Sequence, residues 1–182
     1  WSPDYKKFNM DGLDSDHLQL FKKRVYDIDA CTDSNVAVYL NKNKINNKTF
    51  EKYVDLFIGD KKNKPRIYEE SHGWKVIASY NDDEVFEQVS FVNGINTVRG
   101  GKHVDYILNQ FVRKMTAYIK QKKKIDVKPN TIKEQLFLFV RCVIENPAFD
   151  SQTKDYMNTP VANFGSSCDI SDKFIEKAAK LG

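Results

Sequence analysis

The stretch LFLFVRCVI, Leu136–Ile144, decides how this sequence folds. Arg141 is its one polar residue, and branched and aromatic side chains fall on both faces. A short apolar run with no alternation suits a central strand buried on both sides. Just before it, Thr131 and Glu134 have the spacing of a capping box, which argues for a helix. A brief turn near 131–135 followed by a strand accommodates both signals. Asn146-Pro147 ends the strand. The loop that follows, NPAFDSQTKDY (Asn146–Tyr156), is polar and carries one cation, Lys154. A lysine fixed to the end of a rigid, buried element can be aimed at a target.

Upstream, GKHVDYILNQFVRKMTAYIK carries the clearest helix, His103 to about Lys122. Val104, Ile107, Leu108, Phe111, Val112, Met115 and Ile119 keep helical spacing through it. Before it come three strand-like segments, Arg66–Glu69, Trp74–Tyr80 and Glu84–Val92, separated by the turns SHG and NDD. They read as an antiparallel meander. Residues 1–12 form an extended entry, and Asp14–Cys31 a helix with Leu18, Phe21, Val25 and Ile28 on its buried stripe. Asn35–Leu40 reads as a short strand turned by NKNK, and Thr49–Ile58 as a second helix. Near the end Ser171 can cap a last helix, with Ile170 and Ile175 as its hydrophobic staple.

At 182 residues, 41% hydrophobic and 30% charged, the chain suits one domain with a packed core. It opens on Trp1 rather than Met, which suggests a piece of a longer polypeptide. No stretch approaches the roughly 18 apolar residues of a membrane span, and no signal peptide is visible. Cys31, Cys142 and Cys168 are scattered and have no CxxC spacing, which favours reduced thiols inside a cell. Cys142 lies in the apolar run and reads as core packing. The three histidines are far apart, and no metal site is expected.

The net charge of +4 is unevenly placed: Lys120–Lys128 holds five lysines against one aspartate. Lys120, Lys122, Lys123 and Lys124 can meet phosphates. They can equally end a solvated helix and complement its dipole. No aromatic residue interleaves them, so stacking on single strands is not indicated. VNGINTVRGGKH tempts a phosphate-loop reading but fails on spacing. Six residues rather than four separate Gly94 from Gly101, and His103 follows Lys102. A tight strand-to-helix connection is the plainer reading. Gln152, Thr153 and Lys154 together offer an amide, a hydroxyl and a cation, a set suited to terminal phosphates. A solvated loop is the competing reading.

Taken together, QVSFVNGINTVRGGKHVDYI (Gln88–Ile107), KPNTIKEQLFLFVRCVIENPAFDSQTK (Lys128–Lys154) and FGSSCDISDKFIEKAAK (Phe164–Lys180) resemble one family. It is the transducer region of the type IIA DNA topoisomerases, in the eukaryotic-type topoisomerase II branch. The opening SPDYKKFNM (Ser2–Met10) resembles the start of that region. Gly94 and Lys102 stand where Ser and Thr are commoner. The resemblance implies an α/β (α+β) fold with a mixed sheet, packed helices and a left-handed βαβ crossover, against the usual right-handed rule. It implies a transducer domain over 1–168 and, over 169–182, the start of a linker helix toward a DNA-cleaving core.

It also implies that Gln152, Thr153 and Lys154 bind ATP whose main pocket lies outside this chain, with Mg2+ elsewhere in the full enzyme. Lys120, Lys122, Lys123 and Lys124 match a basic loop on double-stranded DNA. The implied partners are an upstream ATPase domain, the downstream core and a second protomer. The implied setting is a nucleus or a viral factory, with no membrane. By this reading the chain is the coupling piece of an ATP-hydrolysing topoisomerase and is inactive alone. A free-standing duplex-binding α/β module and a purely structural partner-binding domain are the alternatives.

Overall fold

A computed structural model describes residues 2–46 and 49–181. In chain order the elements are α1 (Ser15–Cys31), β1 (Tyr39–Leu40), β2 (Asn43–Lys44), α2 (Phe50–Ile58), β3 (Arg66–Ser71), β4 (Trp74–Tyr80), β5 (Glu87–Val92) and β6 (Ile95–Asn96). Then follow α3 (Lys102–Lys123), α4 (Pro129–Glu134), β7 (Leu136–Cys142) and α5 (Asp172–Ala178). Among the described residues no helix is long and apolar enough to cross a membrane.

The apolar run does become the central strand, β7. The larger sheet has the order β3-β4-β7-β5-β6, with β7 antiparallel to β4 and parallel to β5. Leu136, Leu138, Val140 and Cys142 face one core with Val104, Ile107, Phe111 and Phe174. Phe139 faces the other, with Phe50, Tyr53, Val54 and Phe91. Burial on both faces is why the strand lacks alternation. The link from β5 through α3 to β7 makes this a mixed α/β fold with packed helices, as expected.

The meander holds only for its first pair. β3 and β4 form a hairpin through His72 (φ 45°) and Gly73 (φ 82°), two left-handed residues that match the twist of the strands. β5 does not pair with β4, because β7 lies between them. A meander would have left the most apolar strand at a sheet edge, where its unpaired backbone invites association. The short strand expected over 35–40 shrinks to β1. Its turn is Asn41-Lys42 (φ 49° and 69°), and Asn43-Lys44 pair back as β2. The extended entry contains a helical turn, Tyr5–Phe8.

The stripe assigned to α1 is not its buried side. Leu18, Phe21 and Ile28 are 44%, 45% and 54% exposed, while Asp27, Asp29 and Ala30 are buried. The reason is polar. The Asp27 carboxylate accepts from Tyr53 Oη (2.6 Å) and Lys23 Nζ (2.9 Å). Arg141 of β7 donates to the carbonyls of Ala30 (2.9 Å) and Cys31 (2.7 Å), satisfying the helix C-terminus. Asp14 caps α1, its carboxylate accepting from His17 N–H.

The turn expected at 131–135 is a six-residue helix, α4, with Pro129 in its first turn. Thr131 lies inside it and caps nothing; Glu134 instead accepts from the Asn130 amide at 2.9 Å. Proline fits the first turn because no intrahelical donor is lost there. The cap at Ser171 forms as expected: its hydroxyl accepts from Phe174 N–H at 3.1 Å, and Ile170 and Ile175 are both buried.

Candidate functional site at the two ends of helix α3

The loop after β7 is built on a locked base. The Asn93 side chain, just past β5, donates to Ile144 O and accepts from Ile144 N–H, each at 2.9 Å. The C-terminal ends of the two parallel strands are thus tied together. The chain then doubles back so that Phe149 and Met157 pair as an antiparallel bridge. Met157 is fully buried, and its backbone is held from the other side. Its N–H donates to Gly100 O at 3.1 Å, and its carbonyl accepts from Lys102 N–H at 2.9 Å. The glycine connection is therefore a seat for the second loop. Gly101 has φ 144°, and a Cβ there would lie 2.3 Å from Met157 O.

At the tip, Thr153 Oγ1 donates to Asp155 Oδ2 at 2.6 Å and lies 2.9 Å from Ser151 Oγ. The Lys154 N–H donates to Ser151 O at 3.1 Å, and Lys154 takes a left-handed conformation, φ 61°. Its ammonium lies 5.6 Å from the centroid of the Phe149 ring. Gln152 is exposed. Among the described residues neither the Gln152 amide nor the Lys154 ammonium makes a side-chain hydrogen bond. The three predicted nucleotide ligands do share one loop tip, but Thr153 is already engaged in holding that tip's shape.

The four lysines lie at the far end of the same helix. Lys120, Lys122 and Lys123 occupy the last turn of α3, and Lys124 is its C-cap in a left-handed conformation. Lys120 pairs with Asp126 at 2.9 Å. The other three are exposed, with no ion pair among the described residues. At 1.5 Å per residue, the 22 residues of α3 make a helix about 33 Å long, with the lysines at its C-terminal end and the Gly100–Gly101 seat of the other loop at its start. One rigid rod joins them. Among the described residues no group of three or more His, Cys, Asp or Glu is placed to hold a metal. A mostly apolar cavity of about 470 Å³ lies away from the Gln152–Lys154 loop, between α3, α4 and α5, with Lys123 on its lining.

Residue logic missed the polar network under the glycine seat. His103 is fully buried in the first turn of α3; its Nε2 lies 3.1 Å from Thr97 Oγ1, which lies 2.6 Å from Ser90 Oγ. Its Nδ1 has no partner among the described residues. The signal was the histidine directly after Gly-Gly-Lys. Burial pushes the His103 pKa down to about 3. The folded protein holds this imidazole neutral, while the unfolded chain protonates it below its ordinary value near 6.5. Stability is therefore full above that value and falls as the pH drops toward the folded pKa. Urea unfolding is expected to show a loss of roughly 2 kcal/mol between about pH 7 and about pH 5. His103→Gln is expected to remove that part of the pH slope.

A five-stranded mixed sheet with a parallel crossover helix, a Gln-Thr-Lys loop at one end and a lysine cluster at the other defines the class of unit. The model of the DNA gyrase B family matches residues 34–180, and the chain belongs to that family. DNA topoisomerase 2-alpha of Sus scrofa is 43% identical over 99% of this chain and 12% of its own length. DNA topoisomerase 2 of Drosophila melanogaster is 42% identical over 100% of this chain and 13% of its own length. The chain thus spans only 12–13% of these curated relatives.

The crystal structure of the ATPase region of Saccharomyces cerevisiae topoisomerase II matches with a TM-score of 0.88. It is 40% identical, over 98% of this chain and 45% of that one. The structure of the ATPase and transducer domains of DNA topoisomerase II from Balamuthia mandrillaris matches with a TM-score of 0.82. It is 36% identical, over 91% of this chain and 41% of that one.

Proposed function

We propose that this chain is the transducer region of an ATP-dependent type II DNA topoisomerase, coupling the nucleotide state of a neighbouring ATPase unit to DNA strand passage. The observation that carries this reading is the placement of the two polar ends on one helix, α3. The relatives named DNA topoisomerase 2 and the solved ATPase and transducer domains support it.

In this reading Gln152 and Lys154 reach the terminal phosphate of ATP bound outside the chain, with its Mg2+. Thr153 shapes the tip rather than touching nucleotide. A change at the tip passes to the Gly100–Gly101 seat through Met157, then along α3 and β7. Lys122, Lys123 and Lys124 meet duplex DNA at the other end, and Lys120 shares its charge with Asp126. Residues 1–168 form the transducer domain. Residues 169–182, with α5 held at its start by Glu69 and Lys114, lead toward the DNA-cleaving core. The whole protein acts as a nuclear homodimer.

The test of the DNA end is to replace Lys122, Lys123 and Lys124 with glutamine in the full-length protein. The duplex-stimulated rate of ATP hydrolysis is expected to fall toward the DNA-free rate. The salt dependence of duplex affinity, measured by direct binding, is expected to weaken by about 2.7 in log–log slope, at about 0.9 per phosphate contact. Full stimulation in the triple variant would remove the DNA role of this loop.

A further inference from the structure

We propose that Arg99 is a positioning residue that clamps the mouth of the Gln152–Lys154 loop and so aims its tip. The inference rests on reading that loop as a nucleotide sensor. Arg99 lies on the connection between β6 and α3, yet it reaches both limbs of a loop some fifty residues away. Its backbone N–H donates to Asp155 O at 2.9 Å. Its guanidinium Nη1 donates to Asp150 Oδ2, also at 2.9 Å. Its Cζ lies 5.9 Å from the centroid of the Tyr156 ring. Asp150 immediately precedes the tip 151–154, and Asp155 immediately follows it. One residue therefore bridges the entry and the exit of the tip, beside the bond from Asp150 N–H to Tyr156 O at 3.2 Å.

The clamp is itself anchored. Gln88 of β5 donates to Val98 O at 3.0 Å. Gly100 N–H donates to Thr97 O at 2.9 Å, and Gly100 O receives the Met157 N–H. Arg99 is thus fixed to the same seat that carries the loop base, and movement of the tip pulls on the start of α3.

The side chains of Arg99 and Asp150 are 65% and 30% exposed. An ion pair this open adds little to folding stability. It can still decide where a surface loop points. Reaction rates are far more sensitive to aim than stability is, since a displacement of about 1 Å can cost on the order of 100-fold. Arg99 already has an acidic partner in Asp150, which argues against its being a direct phosphate ligand.

The test compares Arg99→Gln, Asp150→Asn and Arg99→Lys in the full-length protein. Hydrogen exchange across 146–157 and steady-state ATP hydrolysis are followed together. Arg99→Gln and Asp150→Asn are each expected to speed loop exchange about 3-fold or more and to lower kcat by about 3- to 10-fold, with the melting temperature unmoved. Arg99→Lys is expected to restore most of the rate. Arg99→Asp combined with Asp150→Arg should hydrolyse ATP faster than either single reversal. If Arg99→Gln slows hydrolysis while Asp150→Asn runs at the parent rate, Arg99 acts on its own and the clamp is overturned. Unaltered loop exchange in both variants overturns it too. Failure of the underlying reading looks different. Lys154→Ala at the parent rate would remove the nucleotide role and leave the exchange response to Arg99 and Asp150 intact.

Discussion

Replacing Lys154 with alanine in the full-length protein is expected to lower ATP hydrolysis by roughly 10- to 100-fold. A hydrogen bond to a charged group contributes about 1.5–3 kcal/mol. A cation about 4 Å from a phosphate charge is worth about 4 kcal/mol at an effective dielectric of 20, which bounds the effect from above. If, as proposed, Lys154 engages only the outermost phosphate of a nucleotide held elsewhere, the loss should fall mainly on kcat. On the proposed reading Lys154 acts only through bound nucleotide, so DNA cleavage in the absence of ATP should survive its loss. The backbone sets the condition for this role. Lys154 sits at φ 61° with its ammonium over Phe149, and that cation–π contact is weak enough at a partly exposed site to be exchanged for a phosphate.

The second large effect is on folding. Gly101→Ala is expected to destabilise the chain by about 3 kcal/mol or more. Part comes from forcing a Cβ into a glycine-only backbone conformation, about 1–3 kcal/mol. The rest comes from contact with Met157, whose oxygen and nitrogen would lie 2.3 Å and 2.6 Å from the new atom. Those are backbone atoms, and they cannot swing aside as a flexible side chain could. At about 2–4 °C per kcal/mol for a chain of this size, the melting temperature should drop by about 6 °C or more. Gly12→Ala is the control: nothing lies within 4 Å of the added Cβ, so thermal unfolding should barely change. A Gly101→Ala melt within about 1 °C of the parent would contradict the seat described above.

How much of this could be read beforehand follows from the range of each interaction. Local signals were legible. The two-sided apolarity of Leu136–Cys142 marked a central strand, the spacing from Val104 to Ile119 marked α3, and Ser171 marked the start of α5. Non-local choices were not. Strand order depends on which edges β7 covers, and no local pattern in β4 or β5 records that. The apolar stripe of α1 was real as a pattern, yet Asp27 and Arg141 turn a different side inward. Their partners lie far along the chain, at Tyr53 and at Ala30 and Cys31.

The same division runs through the site. Gln152, Thr153 and Lys154 stand out as a polar triplet after a buried strand. That Thr153 is occupied by Asp155 appears only once the loop closes. The Gly100–Gly101 turn read as a connection and proved to be the seat for Met157, which lies more than fifty residues away. The four lysines were legible as charge, but their placement at the opposite end of α3 from the Gln152–Lys154 loop was not.

The most direct measurement is a structure of the full-length protein bound to a non-hydrolysable ATP analogue. The Lys154 ammonium should have left the Phe149 ring and lie about 3 Å from an oxygen of the terminal phosphate. An ammonium still over Phe149, or pointing into solvent while the nucleotide pocket is filled, would contradict the account.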